Sequence, residues 1–301
     1  MKRIVLTILL ILSLLSASAQ DTLRDPSRVR RNVKIVLGAE AGLYAVSMTG
    51  LYFAWYADYP QSSFHFHNDN SSWLQMDKFG HGVTSYLVGS FGYDLLHDAG
   101  LDENHSIWLG GTLGLAFLTT IEVFDGFSDG WGFSWGDMAA NTIGTAMFVG
   151  QQLLWHEQRI TLKYSFHTTE FPQYAPNLLG TNTIQQLLKD YNGQTYWASF
   201  NIKSLFLNKE SRFPAWLNFA FGYGATGMTG AKDNINDPQG IIPQYDRKRQ
   251  FYLSLDVDFT RIPTNNKFLK YTFKVLNIFK LPFPTLEYNT GDEWAWHWMY
   301  F

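Results

Sequence analysis

The sequence predicts an α+β protein: an N-terminal bundle of about four apolar helices, then an antiparallel, β-rich C-terminal region forming a small barrel-like or open sheet. Three observations predict it. Up to about Gln158 the apolar residues run in stretches of helical length, and after it they alternate with polar ones. The chain is also poor in charge, at 16%, and rich in aromatics, at 17%. Ordinary soluble domains carry roughly 25% charged residues.

The first residues bound the compartment. Lys2-Arg3 is a short basic start, Ile4 to Leu15 is apolar but for Thr7 and Ser13, and Ala17-Ser18-Ala19 has the small-x-small form that signal peptidase reads. The apolar run is short for a membrane span. Residues 1–19 therefore read as a signal peptide and Gln20 as the first mature residue, with a retained anchor helix as the alternative. The expected location is the periplasm or outer membrane of a Gram-negative bacterium. The chain has no cysteine, which excludes disulfides, thiol chemistry and a lipid-bearing cysteine. Loss of Lys2 and Arg3 takes the formal charge from −3 to −5, with no basic block, so nucleic acid is not an expected partner. An exported chain of this texture is expected to meet membrane lipid; a large aromatic core is the plainer account.

Residues 20–157 form the expected helical bundle. Its segments are 34–56, 77–97, 105–124 and 137–156, each near the ~20 residues that cross a hydrocarbon core. Each carries a small-xxx-small pair: Gly38 and Gly42, Ser85 and Gly89, Gly110 and Gly114, Ala140 and Gly144. That spacing lets helix backbones approach closely, in membrane bundles and in tight soluble ones.

Residues 158–301 form the expected β-rich region. Ile160, Leu162, Tyr164 and Phe166 alternate with polar residues, as do Leu253 and Leu255, while Phe219 and Phe221 alternate with Asn218, Ala220 and Gly222. Asn182 to Asp190 is expected to make a short amphipathic helix. The chain closes on Trp294-Ala-Trp-His-Trp-Met-Tyr-Phe301, which resembles the closing strand of outer-membrane barrels.

The polar groups on the apolar helices are the candidate site. Asp77 and His81 are four apart and share a helix face, and Asp137 and Asn141 repeat the spacing. Glu122 and Asp125 end the third segment. Antiparallel helices would bring these groups to one end of the bundle. Asp77, His81, Glu122 and Asp137 are candidate ligands for a divalent metal. His81, Glu122 and Asp137 are candidate acids and bases, and Lys78, Asp125 and Asn141 are candidate binding groups, with Lys78 facing a phosphate. Structural roles compete: Ser134-x-x-Asp137 reads as a capping box, Asp77 suits a first turn, and Asp125-Gly126 is turn chemistry.

Asp77-Lys-Phe-Gly-His-Gly-Val-Thr-Ser-Tyr86, Glu122-x-x-Asp125-Gly-Phe127 and Gly132-Phe-Ser-Trp-Gly-Asp137-Met-x-Ala-Asn141-x-x-Gly144 together resemble the DUF2279 family, envelope proteins related to the YfiM lipoproteins. The same skeleton is more distantly similar to VanZ-like membrane proteins. The resemblance covers about residues 30–157 and implies an envelope-localised helical bundle with a shared polar site. Two features depart from it. Residues 123–136 hold no basic residue where VanZ-like proteins have an arginine, and the lipobox cysteine of YfiM-type members is missing.

Two functional classes follow. One is a membrane-associated envelope protein of structural or ligand-binding type. The other is a metal-dependent hydrolase or transferase acting on a lipid head group or cell-wall precursor. Whether the chain is an enzyme stays open at this point.

Overall fold

A computed structural model describes residues 25–57, 59–208, 210–291 and 293–301; the signal peptide expected at 1–19 lies outside the described residues. The chain forms two compact units. The first comprises residues up to Asn68 with Thr84–Glu157 and Thr264–Thr272. The second comprises Asp69–Val83, Gln158–Pro263 and Phe273–Phe301.

The first unit is helical. Helix α1, Pro26–Leu51, starts at Asp25, whose carboxylate accepts from the Ser27 amide at 2.9 Å, with Pro26 in the first turn. It runs on into a π-helical turn, Tyr52–Tyr56. Helix α2, Met76–Asp98, begins in the second unit and continues in the first from Thr84. The stretch expected as one helix over 105–124 is broken into α3, Glu103–Leu109, and α4, Leu113–Gly126. Gly110 and Gly111 make the break, being poor helix formers, and they meet α2 there. A Cβ on Gly110 would lie 2.4 Å from the Gly92 backbone, and one on Gly89 would lie 2.3 Å from the Gly111 carbonyl. A Cβ on Gly114 would sit 2.1 Å from the Ser85 carbonyl. The pairs Ser85/Gly89 and Gly110/Gly114 thus do what their spacing suggested. Gly38 and Gly42 on α1 meet nothing within 4 Å.

Helix α5, Trp135–Trp155, is joined to α2 by polar contacts: Ser85 Oγ donates to the Asn141 carbonyl at 2.8 Å and shares a 2.7 Å hydroxyl contact with Thr145. Tyr86, Tyr93 and Phe148 fill the space beside them. Aliphatic side chains such as Leu43, Val46, Ile143 and Leu154 face outward.

The second unit is built on a six-stranded antiparallel sheet in sequence order: β1, Ile160–Phe166; β2, Gln194–Asn201; β3, Leu217–Thr226; β4, Lys248–Val257; β5, Phe283–Asn289; β6, Glu293–Tyr300. Every connection is between neighbours, and the sheet is open. At one edge β1 is partly covered, because Tyr164 N–H donates to the Ile278 carbonyl and Lys280 N–H to the Tyr164 carbonyl. The expected short helix is α7, Thr183–Lys189, after a single turn α6, Pro176–Leu179; α8, Ile202–Phe206, follows β2 and α9, Lys267–Leu276, precedes β5.

The faces of this sheet are inverted relative to a soluble sheet. Thr161, Lys163, Ser165, Ser199, Asn218, Asp256 and Glu287 are buried, while Phe221, Phe251, Leu253, Leu255, Trp294 and Trp296 are exposed. Curl explains how a polar face becomes an interior. Lys163 of β1 reaches Asp256 of β4 at 2.7 Å, across the two intervening strands, and both side chains are fully buried. Lys163 Nζ also donates to the Val257 carbonyl, Ser199 to Asp256, and Asn218 to Ser199. Further along, Tyr300 of β6 donates to Tyr252 of β4 at 2.7 Å, and its ring meets Trp197 of β2. Lys163, Ser199, Asn218 and Asp256 thus satisfy one another across the curl, as buried polar groups require, whereas the Thr161 hydroxyl is buried without a hydrogen-bond partner among the described residues.

The segment before and into α2 packs on one end of the outer face. Phe79 stacks on Tyr223 at 4.4 Å, and a Cβ on Gly80 would lie 2.8 Å from the Tyr196 hydroxyl. Trp73, Leu74 and Gln75 have positive φ, which non-glycine residues hold only when bonded in place. Tyr223 and Arg249 both donate to the Leu74 carbonyl, and Trp73 N–H donates to that of Ala231.

Candidate functional site

Asp77, Lys78 and His81 belong to the second unit; Glu122, Asp125, Asp137 and Asn141 belong to the first. In the first unit, two cappable helix ends meet at one residue, Ser134. Helix α4 delivers Glu122 in its last turns, where the side chain is buried, and the Ser134 amide donates to Glu122 Oε2 at 3.0 Å. Ser134 is also the N-cap of α5: its Oγ accepts from the Asp137 amide at 3.1 Å. The capping reading of Ser134-x-x-Asp137 is therefore right for that amide. Asp137 and Asn141 follow on the buried face of α5.

Asp125 is held differently. Tyr56, at the end of the π-helical turn, donates its hydroxyl to Asp125 Oδ1 at 2.6 Å, while its ring packs against Phe124 and Trp131. Burial, then the Asp125 carboxylate that faces it and the Glu122 charge beyond, keep the Tyr56 hydroxyl protonated far above its ordinary range. Tyr56, Glu122 and Asp125 thus share one electrostatic neighbourhood, which spacing along the sequence did not reveal.

Residues 62–67 strap the loop between α4 and α5. Ser62 and His65 amides donate to Phe127 and Gly126, Phe133 donates to His65, and His67 donates to Phe133. The His65 ring nitrogen Nε2 lies 2.8 Å from the Trp131 carbonyl. Phe64, Phe66, Phe133 and Trp135 pack edge to face along this strap, with Phe66 and Trp135 exposed. The strap has no regular period, so sequence reasoning assigned it nothing.

In the second unit Lys78 bridges two carboxylates, Asp69 at 2.7 Å and Asp77 at 3.2 Å. Asp69 was missed in the sequence, since it lies outside any periodic segment. A lysine so engaged is positioned by its own acids first, and it would reach a phosphate only as a shared donor.

Chemically, the first unit's set offers two buried carboxylates joined through Ser134, a third carboxylate on a phenol, and an amide. Oxygen donors of this kind suit a hard divalent cation or the donors of a polar head group.

Residues 65–151 match the family DUF2279, described as a predicted periplasmic lipoprotein, while no curated protein and no solved structure matches the chain. The matched stretch runs from the strap into α5 and holds every polar residue named above except Tyr56 and Ser62. The sequence contains no cysteine to carry the lipid of that description. Over residues 65–151 the chain thus carries the DUF2279 pattern, and it is an exported protein of the cell envelope, of the periplasm or the outer membrane.

Proposed function

We propose that this envelope protein is a membrane-associated protein of structural or ligand-binding type, with its polar groups turned inward and its apolar surfaces turned to lipid. The observation that carries the reading is the inverted sheet. A half-exposed sheet in water keeps its apolar face inside; here Lys163 and Asp256 are inside, and leucines, phenylalanines and tryptophans are outside. Apolar-out and polar-in is the arrangement that a hydrocarbon environment rewards.

The first unit supports the same reading independently. It buries Glu122, Asp137 and Asn141 and exposes Leu43, Val46, Ile143 and Leu154. Among the described residues, Glu103–Gly126 is long and apolar enough to cross a membrane, with a mean hydropathy of 1.6. Close glycine contacts between α2 and the α3–α4 turn replace the hydrophobic drive that lipid does not supply.

Fractionation of the envelope tests the reading. The protein should stay with the membrane pellet after alkaline carbonate extraction. Recovery in the soluble periplasmic pool, monodisperse without detergent, would overturn it.

A second reading rests on the Glu122–Ser134–Asp137 linkage: two buried carboxylates held at adjoining helix ends could serve a metal-dependent or acid–base reaction on a head group. Elemental analysis of the purified protein, with thermal unfolding in added manganese or zinc, tests it. No bound divalent ion and no shift would remove the metal version.

A further inference from the structure

The first turns of α1 carry Arg28, Arg30, Arg31 and Lys34, all exposed, with no carboxylate between Asp25 and Glu40. Asp25 is the helix cap. Its hydrogen bonds from Ser27, and after them the nearby Arg28 and Arg31, hold its carboxyl below the ordinary range. Arg30, Arg31 and Lys34 line a shallow groove with Pro26, Ser27 and Ile35. Beyond Lys34 the character changes abruptly. Residues 35–51 contain one charged group, Glu40, and the helix as a whole buries only Val36 and Met48. Leu43 is 61% exposed and Val46 70%. At about 1.5 Å per residue, residues 35–51 rise roughly 26 Å, close to the ~30 Å of a hydrocarbon core.

We infer that α1 is an anchor for anionic phospholipid: its apolar stretch lies in the acyl region, and Arg28, Arg30, Arg31 and Lys34 contact phosphate groups at the surface of the bilayer. The inference rests on the membrane reading above and adds which element makes the contact and which lipid class it selects. Two observations name the occupant. The cationic turn and the uncovered apolar stretch are consecutive on one helix, so a partner must offer negative charge and hydrocarbon side by side, within the length of a single helix. An anionic bilayer does so. A nucleic acid offers no hydrocarbon, and an apolar protein groove offers no phosphate.

Each cation near such a surface contributes about 1 kcal/mol, or roughly fivefold in binding. The sum falls short of four independent contributions, because the four cations lie within a Debye length of one another and repel, and added salt screens their attraction to the surface.

The test is flotation of the purified full chain, exchanged from detergent, with two kinds of vesicle: pure phosphatidylcholine, and phosphatidylcholine mixed with phosphatidylglycerol. The wild type should float with both and bind the mixed vesicles more tightly, the excess falling as salt is raised. The variant R28Q/R30Q/R31Q/K34Q should lose that excess, on the order of a hundredfold, and keep its binding to phosphatidylcholine. The variant R28K/R30K/R31K should retain it, because charge and not guanidinium geometry is at stake. Circular dichroism and thermal unfolding verify that the variants fold, as expected for exposed substitutions. Undiminished preference for mixed vesicles in the glutamine variant would overturn the inference while leaving the membrane reading intact. A wild type that floats with neither vesicle would overturn both.

Discussion

Substituting Leu253 by lysine separates a lipid-facing sheet from a water-facing one. Leu253 is in the middle of β4 and is 45% exposed on the outer face. Across the ladders it faces Phe221 on β3 and Leu286 on β5, with Phe251 and Leu255 as neighbours on its own strand. In water the change should cost little. Full burial of a leucine contributes about 1.5–3 kcal/mol, and only around half of that is in play here. The methylene stem of lysine recovers part of it while the ammonium stays in solvent, so the net cost should stay within about 1 kcal/mol. Against hydrocarbon the ammonium has no solvent, and a lysine near the bilayer midplane costs about 2–4 kcal/mol, falling to ~0–1 near the interfaces. The assay is urea unfolding of the protein reconstituted in phospholipid vesicles, followed by tryptophan fluorescence. Gln239→Lys in the exposed loop before β4 serves as the charge control. Lysine at 251, 253 and 255 in turn should give a profile that depends on position along the strand. A cost below 1 kcal/mol at all three positions, equal to the loop control, would refute the lipid-facing assignment.

The interior should respond in the opposite sense. Lys163→Met leaves the Asp256 carboxylate buried with only Ser199 and the more distant Lys280 to answer it, and should cost about 3–5 kcal/mol in urea unfolding; the double change Lys163→Met with Asp256→Leu should recover most of that loss. Lys280 adds a pH dependence. Burial, opposed by Asp256 and reinforced by Lys163, lowers its ammonium from 10.5 to about 8. Below about pH 8 it is protonated folded and unfolded, and the cost of the buried charge is present in full. Between about 8 and 10.5 the unfolded chain holds the proton that the folded chain has given up, so stability should rise with pH. Subtracting the urea midpoints of Lys280→Met from those of the wild type across that window should isolate the rise, and a flat difference would refute the assignment. At the first unit's polar set, Ser134→Ala removes the oxygen that caps α5 and should cost about 1–2 kcal/mol in thermal unfolding. Gly114→Ala forces a methyl into the Ser85 carbonyl, and should destabilise by several times the ~1 kcal/mol that alanine gains over glycine in an open helix. An unchanged melting temperature would mean that α2 and α4 do not approach as closely as described.

How much of this was legible before the structure depends on whether a feature is periodic. The long helices of the first unit, the short helix α7, strands β1 to β4 and the last strand were, because 3.6-fold and two-fold patterns are local; α6, α8 and α9 were not. Strand β5 was not named, because Pro284 at its second position argues against a ladder strand; the proline is tolerated at the beginning, and Thr285 and Glu287 then enter the interior. The break between α3 and α4 was hidden for a related reason. Apolar periodicity runs straight through Gly110 and Gly111, and only the near contact with Gly89 and Gly92 shows why two glycines are there. At the candidate site the Ser134 cap could be read, since it is a matter of four consecutive residues. Tyr56 on Asp125 and Asp69 on Lys78 could not, because contacts between a turn and a distant helix end leave no pattern in the chain.

The sheet shows the limit most plainly. Alternation in β1 and β4 states that the two faces differ; it does not state which one the protein hides. The usual rule, apolar inward, would have placed Leu253 in a core and Lys163 in water. The likeness of the last strand to barrel-closing strands argued the other way, and the curl decides between them. Lys163 and Asp256 are 93 residues apart and on strands that are not neighbours. They can meet only if the sheet bends over its polar side, and once it does, the leucines of β4 and the tryptophans of β6 on the other face have no interior left to enter. The apolar outer surface therefore goes with a curl that is marked by an ion pair the sequence contains but does not connect. If Lys163→Met combined with Asp256→Leu keeps the fold, the curl is set by the backbone and the glycines at Gly222 and Gly224 instead, and the outward face would persist without the pair.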